Sequence, residues 1–133
     1  MKPFERIGDH HLVTDWFGCW PSFHDGEVQR ITLDRIAGST PSLEIDLRGW
    51  LLNKSATGEL VQSKEALVSF RFESISDLDL EGFNRQNVIT ALHIADAGDP
   101  GPLRVEFEHC YQFSCSFKAL SGKVMQLRPC QHS

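Results

Sequence analysis

The chain has 133 residues, 41% of them hydrophobic, and a formal net charge of −5. That length suits one domain, 1–133, with its own core, and the composition is neither that of a disordered chain nor that of a membrane protein. The acidic balance lacks the basic footprint that a nucleic-acid binder needs.

Residues 8–19 carry Leu12, Val13, Trp16 and Phe17 at i, i+1, i+4, i+5, one helical stripe. Asp9 reads as the N-cap and Gly18 as the stop, and Pro21 bars any continuation. The period then changes. "EVQRITLDRI" reads as a strand ending near Gly38 and Ser39. "SLEIDLRGWLL" alternates, with Leu43, Ile45 and Leu47 on one face, and "NKSATGEL" reads as a turn. "ALVSFRFES" places Val68, Phe70 and Phe72 together. "SISDLDLEGF" fits a short strand or a turn laid over the sheet. "NVITALHIA" is a strand followed by a "DAGDPGP" loop. "LRVEFEH" turns Leu103, Val105 and Phe107 inward, and "YQFSCSFKA" groups Tyr111, Phe113, Cys115 and Phe117. "KVMQLRP" is the last strand. The expected fold is α+β, mostly β: an antiparallel sheet, sandwich or open barrel of about six to eight strands with one short N-terminal helix.

No run approaches the roughly 18 apolar residues of a membrane-spanning helix. The opening "MKPFERIGDHHLVTDW" has no apolar run after its lysine and does not read as a secretory signal. The expected location is the cytoplasm, with Cys19, Cys110, Cys115 and Cys130 as reduced thiols that mostly pack; none forms a C-x-x-C pair. Cys110 and Cys115, five apart, point to opposite faces of an unbroken strand.

"WPSFHDGEVQRITLDR", residues 20–35, sets His24 beside Asp25 with Glu27 near by. A metal or acid–base site needs three or more converging groups, and no H-x-x-x-H or H-E-x-x-H pair is present. The other reading is a polar-satisfied corner between helix and first strand. Trp20-Pro21 makes a rigid turn and Phe23 enters the core. Asp25 accepts backbone N–H groups, Gly26 supplies an unusual backbone conformation, and His24 donates to a carbonyl or to Glu27. Cys19 follows the helix C-terminus, and His109 and Cys110 are strand neighbours on opposite faces, so neither thiol is placed as a nucleophile. No G-x-S-x-G elbow or phosphate-cradling glycine loop occurs. No catalytic residue, metal ligand or cofactor is assigned, and the chain is read as a non-enzyme.

Residues 73–108 hold Glu73, Asp77, Asp79, Glu81, Asp96, Asp99, Glu106 and Glu108 against Arg85 and Arg104, a net −6, leaving +1 elsewhere. Most such runs are a solvated surface; the sharper reading is a face that steers a basic partner. Within it, "EGFNRQNVI" combines turn formers Gly82, Asn84 and Asn87 with Phe83 and Val88 as core anchors. Asn84, Arg85, Gln86 and Asn87 form either a loop that bonds to itself or a recognition loop.

With "WPSFHDGEVQRITLDR" and "FESISDLDLEGFNRQNVI" in this order, and "LRVEFEHCYQFSCSFKA" after them, the chain resembles the immunity protein 50 family of bacterial polymorphic toxin systems. The resemblance runs from about Trp16 to about Leu127 and covers the W-P-x-F-H-D-x-E and F-N-x-Q-N motifs. Gly26 stands where that family often has Ala, and Arg85 where His is common. The matching positions are Trp20, Pro21, Phe23, His24, Asp25, Glu27, Phe83, Asn84, Gln86 and Asn87. The resemblance implies a small cytoplasmic protein, without catalysis, that binds and neutralises a co-encoded toxin. Trp20, Pro21, Phe23 and Phe83 are read as fold residues, and the His24-Asp25-Glu27 corner as scaffolding. Asp77, Asp79, Glu81, Asn84, Arg85, Gln86 and Asn87 are the candidate partner-binding residues. The expected partner is a cognate toxin protein, a basic nuclease domain being one case, and no nucleic acid or membrane; the chain itself is expected to be a monomer or weak homodimer. The alternatives are a small metal-dependent hydrolase centred on His24, Asp25 and Glu27, and a self-associating β domain.

Overall fold

The computed structural model describes residues 2–35, 40–98 and 101–130. The expected end of the first strand near Gly38 and Ser39 lies outside the described residues, as does Asp99. A 3-10 turn, Pro3–Arg6, leads into β1 (Ile7–Gly8) and α1 (His11–Phe17). Then follow β2 (Glu27–Asp34), β3 (Ser42–Lys54), β4 (Leu60–Glu73), β5 (Ser76–Glu81), β6 (Ile89–Asp96), β7 (Leu103–His109), β8 (Ser114–Ala119) and β9 (Ser121–Pro129). They form two open sheets, ordered β1-β9-β4-β3-β2 and β5-β8-β7-β6. All pairings are antiparallel except the short parallel contact of β1 with β9.

The alternation read in the sequence is the burial pattern. Leu43, Ile45 and Leu47 of β3, Val68, Phe70 and Phe72 of β4, and Leu103, Val105 and Phe107 of β7 all face one core. "SISDLDLEGF" is a strand, β5, at the edge of the second sheet. The two sheets are joined by a bent ribbon. Residues 66–73 pair with 121–129, and 76–81 pair with 114–118. The bend falls at Ser74 and Asp77, both with φ of +54°, opposite Leu120, whose N–H donates to Glu73 O. Strands that change sheets at such a bend make the corner of the sandwich.

The helix is shorter than 8–19. Ile7 and Gly8 pair with Gly122 and Lys123, which takes that backbone out of the helix. Asp9 therefore sits at φ +57°, and His10 occupies the N-cap position without a side-chain cap. Gly18 ends the helix as expected, at φ +80° with its N–H on Thr14 O. Val13 and Phe17 are buried, while Leu12 is exposed. Trp16 donates Nε1–H to Lys64 O at 2.9 Å, pinning the helix to β4.

Two further readings change. Tyr111 does not join Phe113, Cys115 and Phe117: residues 110–113 make the reversal between β7 and β8, and Tyr111 is 78% exposed. Phe83 is not a core anchor; it is 50% exposed, edge-on to Phe113 at 6.2 Å. The segment "NKSATGEL" makes the expected reversal at residues 55–59, between β3 and β4, which stay paired out to Lys54 and Leu60. Their outer portion extends past β2, which begins opposite Arg48, and past β9, which ends opposite Ala66. Among the described residues no helix is long and apolar enough to cross a membrane.

Gly49 of β3 makes room for the buried ring of Phe23: a Cβ there would lie 2.5 Å from Phe23 Cδ1. Overpacking at such a contact costs about 1–3 kcal/mol. Gly49→Ala is expected to lower stability by that amount, read as a lower denaturant midpoint at unchanged slope.

Candidate functional site

The chain leaves α1 through Trp20 and Pro21. Trp20 stacks on Phe4 at 5.1 Å and meets Phe23 and Phe70 edge-on, and Pro21 is buried. Phe23 and Asp25 then take φ of +59° and +61°, and Gly26 N–H closes the turn on Phe23 O at 2.9 Å. The unusual backbone thus falls on Phe23 and Asp25, not on Gly26. Gly26 is required for space: a Cβ there would lie 2.9 Å from Phe23 O and 3.1 Å from Arg48 O. A left-handed bulky residue costs on the order of 1–3 kcal/mol. Burying the Phe23 ring returns about 1.5–3 kcal/mol.

His24 and Asp25 act differently from each other. Thr90 O can only accept, so His24 Nδ1–H donates to it, at 3.0 Å. The other ring nitrogen lies 3.5 Å from Asp25 Oδ2. The carbonyl partner of His24 is therefore Thr90, and Glu27 is not involved; Glu27 opens β2 opposite Arg48 and bridges to Val88. Asp25 contributes to the corner through its backbone N–H, donated to Ile89 O at 3.1 Å, with its carboxylate facing His24.

Residues 82–88 meet this corner. Val28 N–H donates to Asn87 O, Ile89 N–H to Gly26 O, and Leu92 N–H to Ser22 O, all within 2.9 Å. Asn87 is 4% exposed and its amide is fully engaged. Oδ1 accepts from Asn84 N–H at 2.7 Å, and Nδ2 donates to Val28 O and Asn84 O at 3.1 and 2.9 Å. Asn84 bonds to Gly82 O and Gln86 N–H. Both asparagines are thus spent within the chain, and Asn87 lies below the surface. Phe83, Arg85 and Gln86 are exposed side chains of this loop that make no such bonds.

A third segment joins them. Ile89 pairs with His109, and Thr90 Oγ1–H donates to His109 O at 2.8 Å. A Cβ on Gly82 would lie 2.2 Å from Gln112 O, so loop 82–87 lies directly against the β7–β8 reversal. The two motifs sixty residues apart therefore share one end of the sandwich with residues 109–113. His24, Asp25, Phe83, Arg85, Gln86 and Tyr111 face solvent there. No local signal marked Tyr111, because its spacing from Phe113 continues the alternation of a strand that has in fact stopped.

The acidic third builds most of the second sheet, since it contains β5, β6 and β7. With Val105, Phe107, Cys115 and Phe117 buried, Asp79, Glu81 and Glu106 stand exposed on the opposite face, Asp79 and Glu81 paired with Ser116 and Ser114. Asp77 lies 3.5 Å from Lys118, and these two with Arg104, Glu106 and Ser116 line a shallow cavity of about 350 Å³. Other acids of the third are paired: Glu73 with Arg71, Asp96 with Arg6, and Glu108 with His93. Among the described residues Asp79, Glu81 and Glu106 have no ion pair.

Among the described residues, no three His, Cys, Asp or Glu side chains come together as a metal could require. His24, Asp25 and Glu27 are not joined there by His10, His11 or His93. All four cysteines are free thiols. Burial, and secondly the charge of Asp79, push the Cys115 thiol up from 9.0 to about 12.

Two outcomes follow from this geometry. Asn87→Ala strands Asn84 N–H and Val28 O; each buried unpaired group costs about 1–3 kcal/mol. The variant is expected to lose stability by at least that much and to exchange the Asn84 amide hydrogen faster, as read by hydrogen-exchange mass spectrometry. For Cys115 the fold favours the neutral thiol. Its contribution is fully present below pH 9 and is lost as pH rises towards about 12. The unfolding midpoint is expected to fall across that window, and to fall less in Cys115→Val.

No curated protein and no solved structure matches the chain. A family model, that of immunity protein 50, matches residues 9–129. That span takes in both motifs, the hydrogen-bonded end they form and every strand from β2 to β9. The chain belongs to the immunity protein 50 family.

Proposed function

We propose that this protein is the cytoplasmic inhibitor of a cognate toxin domain, which it binds stoichiometrically and neutralises by covering the active cleft. One observation carries the reading beyond family membership: the fold places Asp79, Glu81 and Glu106, without ion-pair partners among the described residues, on one outer sheet face with Asp77. That face also carries Arg104 and Lys118, so its acids are in excess rather than alone. A pre-formed surface with an excess of one sign raises encounter rates with a surface of the other sign by about 10- to 10³-fold. A nuclease cleft, built to hold phosphates, is basic and suits that face. Family membership supports a toxin partner; the nuclease chemistry rests on charge complementarity alone.

The test is a binding measurement against the toxin domain encoded beside this chain's gene. Asp79→Lys, Glu81→Lys and Glu106→Lys together reverse the free acids; Asp77 is spared because its φ of +54° would strain a lysine. The triple variant is expected to keep its thermal midpoint, to associate at least about 10-fold more slowly, and to lose the salt sensitivity of the wild-type rate. Wild-type association that does not slow as ionic strength rises would remove steering from the mechanism. Wild-type protein that does not bind the toxin at all would end the inhibitor reading.

A further inference from the structure

We propose that the end of the sandwich where residues 22–26, 82–87 and 109–113 meet is the anchor of the complex. Phe83 and Tyr111 seat in an apolar recess of the toxin domain beside its basic cleft, and Arg85 and Gln86 hydrogen-bond around them. This rests on the toxin-inhibitor reading and adds which surface sets the lifetime of the complex.

Two aromatics lie outside the core. Phe17, Phe23, Phe70, Phe72, Phe107, Phe113 and Phe117 are all buried in the one core. Phe83 and Tyr111, the only tyrosine, are the exposed exceptions, and both occur at the same end. Exposed aromatics joined by an arginine have the composition of an interface hot spot. The apolar ring with a polar tip also suits Tyr111 to a contact that is dry at its centre and wet at its rim.

The backbone beneath them is held still. Asn87 and Asn84 lock loop 82–87 with five side-chain hydrogen bonds. Gly82 lies against Gln112, and Thr90 ties the reversal through His109 O. A pre-formed loop has little conformational entropy left to lose on binding. Phe83 keeps its orientation by resting edge-on against buried Phe113.

The position fixes the kind of partner. Glu81 is the last residue of β5, on the acidic face, and Phe83 is two residues on. The anchor is thus continuous with the negative sheet face, and a partner drawn by that face brings the edge of its basic cleft against the aromatics. The two regions then divide the kinetics: the acids govern association, and the desolvated aromatics govern dissociation.

The experiment measures association and dissociation rates separately for the inactivated toxin domain encoded beside this chain's gene. The variants are Phe83→Ser with Tyr111→Ser, each single substitution, and the conservative pair Phe83→Tyr with Tyr111→Phe. Loss of two hot-spot side chains is expected to speed dissociation at least about 30-fold while association stays within about 3-fold of wild type. The conservative pair is expected to dissociate near the wild-type rate. Tyr111→Ser alone, at a site 78% exposed, cannot disturb the core, so its dissociation rate reads the anchor even if the double variant folds poorly. Unchanged dissociation in Tyr111→Ser and the double variant, with wild type bound, overturns the anchor and leaves the inhibitor reading intact. Absence of wild-type binding sinks both. Self-association of the wild type that the double variant loses, with toxin dissociation unchanged, would assign the aromatic end to a second copy of this chain and overturn the proposal.

Discussion

The backbone hydrogen bonds between residues 22–28 and 87–92 tie β2, the outermost strand of the first sheet, to the start of β6, the outermost strand of the second. Each such bond contributes about 0.5–1.5 kcal/mol net, and none alone decides the fold. Their position matters more. They cover part of two edges that would otherwise present unpaired N–H and C=O groups. They also hold Phe23 and Asp25 in left-handed conformations that an isolated peptide would abandon. The Asn87 side chain completes the seam by donating to Val28 O from inside the core boundary.

The opposite seam is made differently. There the ribbon of β4 with β9 bends into β5 with β8, so that covalent continuity and one ladder do what separate hydrogen bonds do at the first seam. Between the two seams the inner faces of both sheets pack into a single cluster dominated by phenylalanine. Helix α1 adds Val13 and Phe17 to it, and Trp16 fastens the helix to β4. The scaffold is therefore stiff at the ends where its loops emerge, which is the arrangement expected of a binding surface carried on a rigid frame.

Scaffold and surface use different residues even within one motif. In W-P-x-F-H-D-x-E, Pro21 and Phe23 are inside, Trp20 packs against the core, and His24 and Asp25 face solvent while their neighbours' backbones do the joining. In F-N-x-Q-N, Asn84 and Asn87 spend their amides on the loop, whereas Phe83 and Gln86 are outside. Charge is sorted in the same way. Arg48 donates to buried Glu65 at 2.7 Å, a bond that holds the guanidinium above its ordinary pKa, on the first sheet. Asp79, Glu81 and Glu106, without ion pairs among the described residues, lie exposed on the second sheet.

Most of the strands, their inward faces and the single helix were legible in the sequence, because period-2 alternation and a helical stripe are local consequences of burial on one side; β1, read as helix, and β5, left as strand or turn, were not. The sequence also carried the family, through two motifs whose residues could be quoted but not placed, and it marked residues 73–108 as acidic. Tertiary structure alone decided that those acids share a sheet, since the chain order of β5, β6 and β7 becomes a spatial order only after β8 inserts between β5 and β7. It alone turned Asn87 inward and Phe83 and Tyr111 outward. Those three choices depend on which loops meet, and alternation stops carrying information where a strand ends and the chain reverses.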